Sequence, residues 1–480
     1  MMRRTMKKTK PDSHTNRNIL LITYLMVGLF ISMIGYFGYF LQVRGETVIN
    51  NSYNARLDRF SDRIIRGELL SHDGRILART EADEDGSERR VYPYGPLFAH
   101  SVGYSDHGKT GLEALANFYL LSSHMNLIEQ TVNEFSGVKN IGDNVITTLD
   151  VDLQQTASDA LGGRRGAVIV MEPDTGKILA MISRPEYDPN TLGADWDFLI
   201  SGENTEAQLL NRSTQGLYPP GSTFKILTIL EYIREHPDTW REYTFDCDGI
   251  YECGDYTISC YHGNVHGHQT LEQAFANSCN GAFAALGQEL DAGAMHDLAE
   301  QLLFNQELPL SLAYSKGSFT MNTGADTWEI LQTSIGQGNT QITPMHNAMI
   351  TAAIANGGIL MKPYLLERVE SSAGEEVKQF LPESAGSLMT ADEAEALSGL
   401  MRLVVTEGTG SAVRTDAYSV AGKTGSAEFE TGRETHAWFT GFAPAESPRL
   451  AVTVVVEEAG SGGQVAAPIA RSIFDRYFSR

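Results

Sequence analysis

Three short runs hold residues that can do chemistry together. The first is Tyr218-Pro-Pro-Gly-Ser222-Thr-Phe-Lys225, followed by Ile-Leu-Thr-Ile-Leu. Two prolines and a glycine mark a helix start, and the apolar run continues it. That spacing places Lys225 on the same face as Ser222, one turn on, where its amine can reach the hydroxyl. Serine is a weak nucleophile until a neighbour takes its proton. A lysine desolvated at a buried helix start can do so, and backbone N–H groups there can hold an oxyanion. By itself an S-x-x-K tetrad is weak, since residue usage yields about two by chance in such a chain. The alternative is a capped surface helix with a solvated lysine.

The second run is Ser278-Cys-Asn280. Ser278 can relay a proton, and the Asn280 amide can orient a substrate amide or hold Lys225; a loop or N-cap is the bland reading. The third is Lys423-Thr424-Gly425-Ser426. On a strand, a cation, two hydroxyls and a side-chain-free glycine suit an extended peptide ending in a carboxylate, with Gly425 admitting its backbone. A solvent-facing edge-strand lysine is the alternative.

These runs need elements to position them. Asp150–Leu161 fits a helix with acids at its N-terminal end. Ala167–Met171, the turn Pro173-Asp-Thr-Gly176 and Ile178–Ile182 read as strand, turn, strand. Gly425–Phe429, Ala437–Phe442 and Leu450–Val456 give three more strands, and Pro468–Phe478 a closing helix. Two early and three late strands with helix-rich sequence between predict an α+β domain. Its five-stranded, mostly antiparallel sheet is closed by both chain ends and covered by helices on both faces.

Charge divides the chain. The 480 residues carry a formal −23. Residues 1–17 hold six basic groups and Asp12, or +5, leaving −28 for the rest. Nucleic acid is excluded as a partner, because phosphate binding needs a basic face. Asn18–Val43 lacks formal charge and is long enough for a transmembrane helix. No small-residue cleavage site precedes Arg44, so an uncleaved signal anchor is expected. The positive-inside rule puts 1–17 in the cytoplasm and the body outside. From 44 to 143 the chain is polar and arginine-rich, with a solvated acidic loop around Glu81–Asp85; the texture changes at Asn144.

Cys247, Cys253 and Cys260 lie close together, with His262, His266 and His268 after them and Cys279 beyond. Their spacings match no standard paired C-x-x-C zinc pattern. One disulfide within the trio is expected, with zinc as the alternative.

The order of the three runs, on a helix start, after a loop and on a strand, resembles the signature set of penicillin-binding proteins and serine β-lactamases. Further stretches extend the likeness. Arg66-Gly-Glu-Leu-Leu-Ser-His-Asp73-Gly, Arg90-Val-Tyr-Pro93, His100-Ser-Val-Gly-Tyr104 and Gly111-Leu-Glu113 resemble landmarks of a class B pedestal. Thr147-Thr-Leu-Asp150, Gly336-Gln-Gly338, Thr343-Pro344, Ala355-Asn-Gly-Gly358 and Ala437–Phe442 resemble landmarks of the transpeptidase domain. The chain is identified as a class B penicillin-binding protein. Its expected parts are a tail (1–17), an anchor (18–43), a pedestal (44–143) and a transpeptidase domain (144–480).

The resemblance implies a peptidoglycan D,D-transpeptidase with no cofactor or metal. Ser222 would attack between two terminal D-alanines of a stem peptide, with Lys225 as general base and the N–H groups of Ser222 and Ser426 as oxyanion donors. Ser278 would pass the proton to departing D-alanine, and Asn280 would position the donor. Lys423, Thr424 and Ser426 would grip the carboxylate. β-Lactams would acylate Ser222, and a SEDS-family glycosyltransferase would be a partner at the bacterial membrane. The alternatives are a D,D-carboxypeptidase or β-lactamase-type hydrolase, or a β-lactam-binding scaffold or sensor.

Overall fold

The apolar run near the N-terminus forms one 27-residue helix, Ser13–Tyr39, in the computed structural model, which describes residues 13–40, 63–83, 87–430 and 432–479. Most of the basic tail, the last residues of the expected span (41–43), the first of the pedestal (44–62) and part of the acidic loop (84–86) lie outside the described residues. Arg17–Tyr39 has a mean hydropathy of 2.2, and its most apolar window buries nothing against the rest of the chain. A helix that is apolar all round and uncovered by protein suits a lipid surrounding.

The catalytic motifs are arranged around a five-stranded sheet. Its strands run in the order Ala421–Ala427, His436–Ala443, Leu450–Val456, Gly166–Met171, Ile178–Arg184, and every neighbouring pair is antiparallel. Alternate side chains face opposite sides. Val168, Val170, Phe439, Val452 and Val454 pack with the helices Val151–Leu161 and Ala466–Phe478. Ile169, Met171, Trp438, Phe442 and Val455 share the opposite core with Lys225–Glu235, Pro344–Ala355 and Ala391–Thr406. Because both faces are covered, the strands read as continuous apolar runs rather than alternations. Each fully buried Val or Phe contributes about 1.5–3 kcal/mol.

The helix start at Asp150 is as expected, the Asp150 side chain accepting from Leu153 N–H at 2.8 Å. Two boundaries move. The closing helix starts at Ala466. The third-motif strand starts at Ala421, because pairing with His436–Ala443 extends to Ala421 opposite Phe442. The motif therefore lies mid-strand rather than opening it.

A second, six-stranded sheet was not anticipated. Its order is Glu376–Gln379, Leu366–Glu370, Asn144–Thr147, Leu69–Leu70, Ile76–Ala82, Glu88–Val91. Leu69 pairs in parallel with Val145, while Leu366–Glu370 runs antiparallel beside Asn144–Thr147. Strands distant in sequence thus join the pedestal's own strands in one hydrogen-bonded ladder.

Candidate active site

Ser222 sits in a 3-10 turn, Gly221–Phe224, that runs directly into the helix Lys225–Glu235. Residues three apart eclipse in such a turn, so Ser222 and Lys225 share a side. Ser222 is half-buried, whereas Thr223, Phe224 and Lys225 are buried. Several contacts fix the turn. The Thr223 hydroxyl donates to Pro220 O at 2.7 Å and accepts from Asn347 Nδ2 at 3.3 Å. Trp438 Nε1 donates to Pro219 O at 3.2 Å. Gly221 N–H donates to Gly336 O at 2.9 Å. Gly336 has φ +78°, and a Cβ there would lie 2.0 Å from Gly221 O, so only glycine fits. Thr223, Asn347, Gly336 and Trp438 are supports to which motif reasoning gave no role.

Lys225 is fully buried. Its Nζ donates to Ser278 O and Asn280 Oδ1, both at 2.7 Å, and to Ser278 Oγ at 3.3 Å. No bond to Ser222 is among these. Burial lowers its pKa to about 8, so about one amine in ten is neutral at pH 7. Lys423, also fully buried, donates to Ser278 Oγ at 2.9 Å and Thr424 O at 3.0 Å. Burial, reinforced by the nearby Lys225 cation, pushes it well below the ordinary lysine value. Ser278 lies between the two lysines in the left-handed region, φ +57°. Asn280 opens the helix Asn280–Glu289 and donates from Nδ2 to Ser259 O at 2.9 Å. Its amide therefore clamps Lys225.

The third motif lies on Ala421–Ala427, an edge strand of the central sheet. Its outer backbone groups are available to an extended peptide. Strand alternation puts Thr424 and Ser426 on one face, Lys423 and Gly425 on the other. The Thr424 hydroxyl bonds to that of Thr409 at 2.6 Å. A Cβ on Gly425 would meet Trp438 Cβ at 3.1 Å and Thr223 Cγ2 at 3.3 Å. Its missing side chain thus lets the serine turn pack against the strand, a role beside the expected one of admitting substrate.

The cysteines differ from expectation. All four are free thiols. Cys253 lies apart, facing Gln288. Cys279, from the second motif, joins Cys247 and Cys260: Sγ–Sγ separations are 3.7 Å for Cys247–Cys260 and 3.7 Å for Cys260–Cys279. A disulfide needs about 2.05 Å, so the expected bridge within the trio is not formed. His268 points elsewhere, its Nδ1 2.8 Å from Asp246 Oδ1.

Comparison with known proteins agrees with this geometry. Residues 166–475 match the penicillin-binding protein transpeptidase domain family, and residues 66–145 match the penicillin-binding protein A dimerisation domain family. The chain is 35% identical to the peptidoglycan D,D-transpeptidase PbpA of Mycolicibacterium smegmatis, across 87% of this chain and 89% of that protein. The imipenem acyl-enzyme of penicillin-binding protein A from M. tuberculosis superposes with a TM-score of 0.79 at 31% identity, over 88% of this chain and 99% of that one. A D,D-transpeptidase domain of a peptidoglycan glycosyltransferase from Eggerthella lenta gives 0.78 at 33% identity, over 87% and 99%. With the serine turn, the paired lysines and the edge strand on one α+β scaffold, the chain belongs to the penicillin-binding protein transpeptidase family.

Proposed function

We propose that this chain is a serine D,D-transpeptidase that cross-links peptidoglycan stem peptides and is covalently acylated by β-lactams. The observation that carries the reading is the buried Lys225 amine, lowered to about 8 and bonded to Ser278 and Asn280 one turn after Ser222. A neutral amine still has two hydrogens for Ser278 O and Asn280 Oδ1. Its lone pair is then free to take the Ser222 proton as Oγ attacks the D-alanyl-D-alanine carbonyl. The oxyanion rests on the N–H groups of Ser222 and Ser426. Collapse breaks the amide bond, and the proton returns through Ser278 to the leaving D-alanine nitrogen. An amine from a neighbouring stem then attacks the acyl-enzyme, forms the new amide and frees Ser222.

Thr424, Ser426 and the Lys423 cation hold the terminal carboxylate. Gly425 keeps the strand against the turn, and Asn280 positions both donor peptide and base. Residues 144–480 act as the transpeptidase domain, 44–143 as the pedestal and 18–43 as the anchor, with 1–17 cytoplasmic and the enzyme outside. A SEDS-family glycosyltransferase is the proposed membrane partner, through anchor and pedestal; co-purification that survived replacement of both would exclude it. The activity is tested by intact-protein mass spectrometry after penicillin treatment. One adduct is expected, absent in Ser222→Ala; an adduct retained by that variant overturns the assignment.

A further inference from the structure

Four potential metal ligands converge beside the second motif without belonging to the reaction just derived: Cys247, Cys260, His266 and Cys279. Their ligand atoms all lie within 4.8 Å of one another. The three thiols are almost fully buried, and the imidazole is half-buried. Zinc in a tetrahedral site has Zn–S near 2.3 Å and Zn–N near 2.05 Å, so its ligands stand about 3.8 Å (S to S) and about 3.5 Å (S to N) apart. The two measured Sγ–Sγ separations are 3.7 Å, and Cys247 Sγ to His266 Nδ1 is 3.3 Å. The ligands come from four segments: the end of the strand Thr244–Cys247, the residue after Tyr256–Ser259, the residue before Gly267–Thr270, and the N-cap of Asn280–Glu289. Folding brings together what sequence spacing disguised. Three thiolates and an imidazole in a small closed set suit zinc rather than the oxygen-seeking calcium or magnesium.

We propose that Cys247, Cys260, His266 and Cys279 form a structural Cys3His zinc site that positions the Ser278–Asn280 loop. Cys279 lies between Ser278 and Asn280, the residues that hold Lys225. Cys260 adjoins Ser259, whose carbonyl accepts from Asn280. Fixing both cysteines on one ion fixes both ends of the clamp on the lysine. This positioning role rests on the proposed transpeptidase reading; the metal site does not.

The test uses the full chain extracted in detergent without chelator. Elemental mass spectrometry should find one zinc per chain, lost in Cys260→Ser and in His266→Ala. In the unaltered chain, exchange for cobalt should give the visible bands of a tetrahedral thiolate site, a readout independent of whether the variants fold. Removing zinc should slow fluorescent-penicillin acylation by about tenfold, and zinc should restore it. A different metal or none, a chain two hydrogens lighter from a Cys247–Cys260 or Cys260–Cys279 disulfide, or zinc retained by both variants would overturn the site. Acylation unchanged in the zinc-free chain would overturn the positioning role. Zinc binding with no acylation under any condition would instead count against the transpeptidase reading and leave the metal site standing.

Discussion

The protein buries charge in two places and treats it in opposite ways. In the pedestal, Glu113 is fully buried between two arginines. It accepts from Arg66 Nε at 2.7 Å and from Arg90 Nε at 2.7 Å, while Arg90 also donates to Gly67 O at 2.7 Å. Burial alone would raise the Glu113 carboxyl, but the two guanidinium groups outweigh it and hold it below its ordinary value. In the active site, Lys225 and Lys423 are equally buried yet face each other across a neutral hydroxyl, and among the described residues neither pairs with a carboxylate. The first arrangement fixes a structure, because every charge has its opposite. The second keeps free energy in reserve: one amine is available as a base and the other is ready for a substrate carboxylate. In a chain of formal charge −23, excluding acid from that spot is what makes it reactive.

The largest expected effect tests the active-site half. Lys225→Ala should slow penicillin acylation by roughly 10²–10⁴-fold, the usual worth of a positioned general base. Stopped-flow trapping measures it, and a loss under threefold would show that Lys225 is not the base. The pedestal half comes next. Glu113→Ala leaves two buried cations unpaired and should cost about 3–5 kcal/mol of stability, seen in denaturant unfolding, while the acylation rate per folded molecule stays unchanged. Lys423→Met is the direct contrast. It removes an uncompensated buried charge, so stability at neutral pH should not fall, whereas acylation efficiency should drop about 10–100-fold with the lost carboxylate partner. If it destabilised as much as Glu113→Ala, the comparison would fail.

The smallest effect is in pH. Lys225 acts as a base only when neutral, so acylation should rise through a pKa of about 8 and then level. Stability carries the same sign. A lysine whose folded value lies below its ordinary 10.5 makes the folded state bind fewer protons between the two values, so this group's contribution increases from about pH 8 toward 10.5. An acylation profile flat from pH 7 to about 9 would exclude Lys225 titration as its control.

Much of this was legible in sequence because it is local. The one-turn spacing of Ser222 and Lys225, the apolar strands at 166–184 and 436–456, the Asp150 helix start and the apolar helix near the N-terminus each follow from neighbouring residues and their periodicity. Arg66, Arg90 and Glu113 stood out only as separate landmarks. Nothing local announced that they meet.

What tertiary structure alone decided involves pairs far apart along the chain. Leu366–Glu370 and Glu376–Gln379 join the pedestal strands through backbone ladders, which carry little side-chain signature. Lys225 takes its hydrogen bonds from Ser278 and Asn280, more than fifty residues on. The cysteine trio read from spacing gives up Cys253 and gains Cys279, because strand register, not sequence distance, sets which thiols meet. The amino-acid sequence determined which groups can react. Burial and long-range register determined their protonation and their partners, since both depend on what excludes water from the site.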